Sequence, residues 1–162
     1  MYSRMLVPVD GSEPSKLALD EAIKLASLLH ASIRLLHVVD VWSLLTSEAM
    51  AASYDTLFDL LRHEGEQLLL DAAATTRRAG IVVDTALVEA PDIQVGECVV
   101  RKAREYQADL IVCGTHGRRG IRRLLMGSDA EYIVRHSPVP VLLVRIPDAA
   151  SATAAAAVGA AA

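Results

Sequence analysis

The stretch Asp109-Leu110-Ile111-Val112-Cys113-Gly114-Thr115-His116-Gly117 decides the fold. An uninterrupted apolar run follows a carboxylate and stops on a glycine. A strand with one wet face alternates apolar and polar residues, whereas a strand covered on both faces does not need to. The run therefore reads as a strand, Asp109 to Cys113, inside a sheet with helices on both sides.

Working outward, Gly127 to His136 has helical periodicity, and Val139 to Ile146 (V-P-V-L-L-V-R-I) is a last strand. Upstream, Asp92 to Tyr106 reads as a long helix after Pro91, and Ile81 to Val88 as a strand. Leu57, Leu61, Leu68 and Ala72 share one face of a helix from Ser53 to Ala79. Gly80 closes that helix behind Arg77 and Arg78, cations that suit a helix C-terminus. Asp40 to about Ala52 lacks a period. Ser32 to Val39 is a second strand, and Ala18, Ala22, Leu25 and Leu29 mark a helix from Pro14 to His30. The first strand runs from Arg4 to Asp10, and Ser12 and Pro14 supply an N-cap and a first-turn proline. Strands alternating with helices through right-handed crossovers make a doubly wound parallel α/β sheet.

At 162 residues the chain fits one domain. Hydrophobic residues make up 52% and aromatics only 4%, so Leu, Val, Ile and Ala must build the core. A net charge of −4 gives no reason to expect nucleic acid or an anionic membrane surface as partner. No run approaches the ~20 apolar residues of a membrane span, and Met1-Tyr2-Ser3-Arg4 offers no signal-peptide pattern. Cys98 and Cys113 lie in different elements and form no CxxC pair, so a reducing, cytoplasmic setting is expected. The alanine-rich segment 148–162 has neither an amphipathic pattern nor caps. It is set apart as a disordered tail to a domain spanning 1–147.

In doubly wound sheets ligands sit beyond the carboxyl ends of the strands, where the winding reverses. That places the candidate site at Asp10-Gly11-Ser12, at Val38 to Asp40 and after Cys113. Gly114 and Gly117 allow backbone N–H groups to approach an anion without an intervening Cβ. Gly127-Ser128 opens a helix whose free N–H groups suit a phosphate. The same residues have a plainer reading: Ser128 and Glu131 form an S-x-x-E capping box, and glycines after strands are ordinary turns. From the residues alone both readings stand. A P-loop, a G-x-G-x-x-G fingerprint after the first strand and a G-x-S-x-G elbow are all missing. Arg118, Arg119, Arg122 and Arg123 read mainly as a solvated charge run, His37 as a structural residue of the second strand, and the histidines show no metal-ligand spacing.

The spacing Gly114-x-x-Gly117, nine residues, then Gly127-Ser128 resembles the G-2x-G-9x-G-(S/T) signature of ATP-binding universal stress proteins. V-P-V-D-G-S (Val7 to Ser12), L-L-H-V-V-D (Leu35 to Asp40) and S-P-V-P-V-L-L-V-R (Ser137 to Arg145) resemble that family too. The resemblance implies a five-stranded, Rossmann-like sheet in the order 3-2-1-4-5 and a homodimer paired through the last strand. It implies that Pro8, Val9 and Asp10 line the adenosine side and that Val38 packs on adenine. Gly114, Thr115, His116, Gly117, Gly127 and Ser128 would surround the phosphates. ATP, ADP or AMP is the implied ligand, with Mg²⁺ or Mn²⁺ held mainly through the phosphates. Asp129 departs from the small apolar residue common at that position, and its side chain is expected to point outward. The implied function is nucleotide sensing or buffering in a stress response, with little or no turnover. A slow ATPase or adenylating enzyme, and an interaction dimer with a vestigial site, are the alternatives.

Overall fold

The computed structural model describes residues 2–40, 54–90, 93–115 and 126–146. Nine elements alternate along them: β1 (Arg4–Pro8), α1 (Glu13–Leu29), β2 (Ser32–Val39), α2 (Tyr54–Arg78), β3 (Val83–Glu89), α3 (Val95–Tyr106), β4 (Leu110–Gly114), α4 (Ser128–His136) and β5 (Val141–Val144). The strands form one sheet in the order β3-β2-β1-β4-β5 with every pairing parallel, as the sequence pattern and the resemblance imply.

Successive residues of β1 feed different faces of the sheet. Met5, Val7 and Val9 enter a cluster with Ala18 and Ala22 of α1 and Leu69 and Ala73 of α2. Leu6 enters the other cluster, with Val99 and Ala103 of α3 and Ile133 of α4. Helices α1 and α2 thus cover one face and α3 and α4 the other, which is why β4 and the interior of β1 are apolar on both sides.

Several element ends differ from the sequence expectation, each for a local reason. β1 stops at Pro8 rather than Asp10, because the chain bends there: Asp10 Oδ1 accepts from the Ser12 N–H at 2.9 Å, and Gly11 takes φ 81°. β5 is shortened from Val139–Ile146 to Val141–Val144. Ser137 Oγ both donates to Val139 O (2.6 Å) and accepts from Val139 N (3.2 Å), closing a turn that takes Val139 out of the strand. α1 begins as expected, with Ser12 at the N-cap and Pro14 in the first turn, and Gly80 has the positive φ (78°) expected after α2. The tail from 148 onward lies outside the described residues.

At the amino ends of the strands, the Asp109 carboxylate clamps the start of the chain. It accepts from Ser3 N (2.7 Å), Ser3 Oγ (2.8 Å) and Arg4 N (3.0 Å). Partial burial pushes its pKa up, but these bonds outweigh burial and hold the carboxyl below its ordinary value. Arg34 pairs with Asp84 across β2 and β3 and lies 4.1 Å over the Tyr106 ring.

Candidate functional site

The winding reverses between β1 and β4, neighbours in the sheet whose following helices leave to opposite faces. A crevice opens at such a point because neither helix covers the strand ends. Its walls are the turns that leave β1 and β4.

On the β1 side, Asp10 Oδ1 accepts from both Ser12 N (2.9 Å) and Ser12 Oγ (2.6 Å), while Ser12 Oγ caps α1 by accepting from Ser15 N at 3.4 Å. Buried Ser15 reaches back: its Oγ accepts the Asp10 N–H (3.2 Å) and donates to Pro8 O (3.4 Å). The sequence reading passed over Ser15. Its signal was a lone hydroxyl on the otherwise apolar stripe of α1. Pro8 and Asp10 are half-buried at the crevice. Val9 is different: its side chain belongs to the core, its N–H donates to Leu36 O (2.8 Å), and its carbonyl faces His37 Nδ1 at 2.7 Å. Val38 is half-buried on β2, next in the sheet.

On the β4 side, Gly114 ends the strand. A Cβ placed there would lie 2.7 Å from Pro14 Cβ and 2.8 Å from the Pro14 carbonyl carbon. The first turn of α1 crosses so close that only glycine fits. Gly114 is thus required by packing, a demand distinct from the anion approach inferred from sequence. The Thr115 N–H donates to Val144 O (3.0 Å), and Thr115 O accepts the Gly127 N–H at 2.9 Å. The chain therefore leaves the crevice at Thr115 and is fastened back to it at Gly127. His116, Gly117 and the four arginines lie outside the described residues.

The capping box expected at Ser128 and Glu131 does not form. The N-cap is Gly127 (φ −64°, ψ 150°), which has no side chain to offer, and Ser128 is already the first helical residue. Glu131 instead pairs with Arg135 at 2.6 Å. The first-turn N–H groups of α4 thus lack a capping side chain from the N-cap, and Ser128 is exposed beside them. Such a helix start attracts anions through its free donors and its dipole. Asp129, expected to point away from the phosphates, is turned to α3. Its Oδ1 accepts the Gly96 N–H at 3.0 Å, capping α3, whose own N-cap Gln94 makes no side-chain cap. Cys113 is buried behind the crevice, and burial pushes its thiol up to about 12, so it is an inert core residue.

Among the described residues, no group of three or more His, Cys, Asp or Glu side chains could hold a metal ion. No helix among them is long and apolar enough to cross a membrane.

A doubly wound parallel sheet with helices on both faces defines a class of small α/β folds. Residues 1–145 match the universal stress protein family, and the chain belongs to that family. Universal stress protein MJ0531 of Methanocaldococcus jannaschii is 33% identical over 147 residues, which cover 91% of this chain and 84% of that protein. The solved structure of a universal stress protein family member from Burkholderia pseudomallei superposes with a TM-score of 0.72 at 37% identity, covering 88% of this chain and 96% of that one. A further structure, of a universal stress protein in complex with cAMP, has a TM-score of 0.63 at 25% identity over 89% of this chain and 97% of that one.

Proposed function

We propose that the crevice between β1 and β4 binds an adenine nucleotide and that the protein is a cytoplasmic stress-response regulator that senses or buffers nucleotide rather than turning it over. One observation carries this reading: the start of α4, fastened at Gly127 to Thr115, has no capping side chain at its N-cap and carries an exposed Ser128 at the point of reversal. An anion fits that combination, and a relative of the same fold is complexed with cAMP. Gly127 and Ser128 hold the phosphates, with Gly114, Thr115, His116 and Gly117 around them. Pro8 and Asp10 lie along the nucleoside, and Val38 lies against the base. Magnesium or manganese would be held mainly by the phosphates of ATP or ADP and would supply charge neutralisation there.

Binding is favoured over turnover because Asp10, the carboxylate at the crevice, already spends Oδ1 on Ser12. The alternative of a vestigial site rested on Asp129, and that carboxylate is engaged by α3. A homodimer paired through β5 is part of the proposal. All four β5 residues are only half-buried at the sheet edge, and Ile146 just beyond is half exposed.

Titration calorimetry of nucleotide-stripped protein with magnesium-ATP, AMP and cAMP tests the reading. Saturable binding is expected, and a Gly127→Leu variant of unchanged circular dichroism is expected to lose it. A wild-type protein that binds none of the three would overturn the proposal. Phosphate release above that of the variant would shift the assignment to a slow ATPase.

A further inference from the structure

His37 is buried in the sheet, and its Nδ1 lies 2.7 Å from the carbonyl oxygen of Val9. A carbonyl oxygen only accepts, so Nδ1 carries the proton. The residue that receives this bond sits between Pro8 and Asp10, just beyond the last β1–β2 register pair, Pro8 with Leu36; its N–H still bonds Leu36 O at 2.8 Å, and His37 holds its carbonyl. A second observation concerns the same ring. Gly65 stands in the interior of α2, where glycine weakens a helix relative to alanine. A Cβ at Gly65 would lie 2.5 Å from His37 Cδ2 and 2.9 Å from Nε2, so the helix carries a glycine to make room for the imidazole. Leu87 of β3 closes the gap on the same side, its Cδ1 2.9 Å from that Cβ position. The ring is therefore seated by two elements and aimed at a third.

We infer that His37 is a positioning residue for the nucleotide site: wedged under Gly65 of α2, it holds the Val9 carbonyl and so fixes where Pro8 and Asp10 present themselves to the nucleoside. The inference rests on the proposed nucleotide reading of the crevice. Its distinctive consequence is that His37 governs the nucleoside end and not the phosphate end. Loss of the bond therefore weakens adenosine, AMP and ATP by the same factor, whereas loss of the Ser128 hydroxyl weakens only the phosphate-bearing ligands.

The first experiment is ¹⁵N NMR of the histidine rings in the wild-type protein. A proton on His37 Nδ1, protected from exchange and shifted on addition of adenosine, is expected; a ring protonated at Nε2 alone would overturn the inference. Calorimetry of His37→Phe and His37→Asn then follows, with each fold checked by circular dichroism. Phenylalanine keeps the ring without the donor and should weaken all three ligands about tenfold. Asparagine places an N–H close to the Nδ1 position and should restore most of the affinity. Wild-type affinity in a folded His37→Phe protein, or a folded His37→Asn protein as weak as the phenylalanine variant, overturns the inference while the nucleotide site stands. A wild-type protein that binds no adenine ligand overturns the site itself.

Discussion

The two strand-to-helix turns that wall the crevice are built to opposite specifications. After β1 the turn is closed on itself. Ser12 caps α1, Asp10 grips Ser12, and Ser15 ties the turn back to β1, with Pro14 and Ser15 buried. After β4 the helix begins on a glycine, carries no side-chain cap, and exposes its first serine. Both turns solve the same problem of satisfying four orphan N–H groups. The first uses the Ser12 hydroxyl, and the second begins on a glycine that has no side chain to offer.

Three changes break or sharpen this contrast. The largest effect is expected at the contact between the two turns. Gly114→Ala drives a methyl into the Pro14 backbone and should cost about 3 kcal/mol in urea unfolding, since backbone cannot step aside as a flexible side chain can. A loss under about 0.5 kcal/mol would show the approach of α1 to be soft. Next, Ser12→Ala removes the α1 cap and leaves Asp10 without its hydroxyl partner. A loss of about 1 kcal/mol is expected from the same measurement. The smallest is Gly127→Ser, which supplies α4 with the side-chain cap it lacks. Stability should rise by a few tenths of a kcal/mol, while nucleotide affinity falls because the new hydroxyl takes donors meant for phosphate. A variant that gains stability and keeps full affinity would contradict the division of labour between the turns.

The architecture was legible because each element announced itself locally. Continuous apolar runs marked the strands, the stripe through Ala18 and Ala22 marked α1, and Ser12 with Pro14 marked its start. What the sequence hid were partnerships across the chain. Gly114 was read as a place where backbone approaches an anion, whereas the group that forbids a Cβ there in the structure is Pro14, a hundred residues away. Asp129 looked like a surface acid of α4 because nothing near it in sequence asks for a carboxylate. Its partner, the Gly96 N–H, lies 33 residues upstream. The S-x-x-E pattern misled by one position, since Gly127 adopts the extended cap conformation and leaves Ser128 inside the helix. Gly65 carried a signal, an interior helical glycine, but only the placement of His37 gives it a reason.

The clamp of Asp109 on Ser3 and Arg4 bears on the moment of synthesis. β1 is made before the other four strands of this sheet and is its central strand, flanked by β2 and β4. Its partner on the β2 side follows within a few dozen residues, but the residue that clamps its start lies 106 positions later. At roughly 5–20 residues per second, the ribosome leaves Met5, Leu6 and Val7 with one unpaired edge for about 5–20 s. An apolar strand with a free edge is the kind of surface that pairs with the wrong neighbour. The newborn chain thus passes through a window of risk whose length is set by how far down the message β4 is encoded.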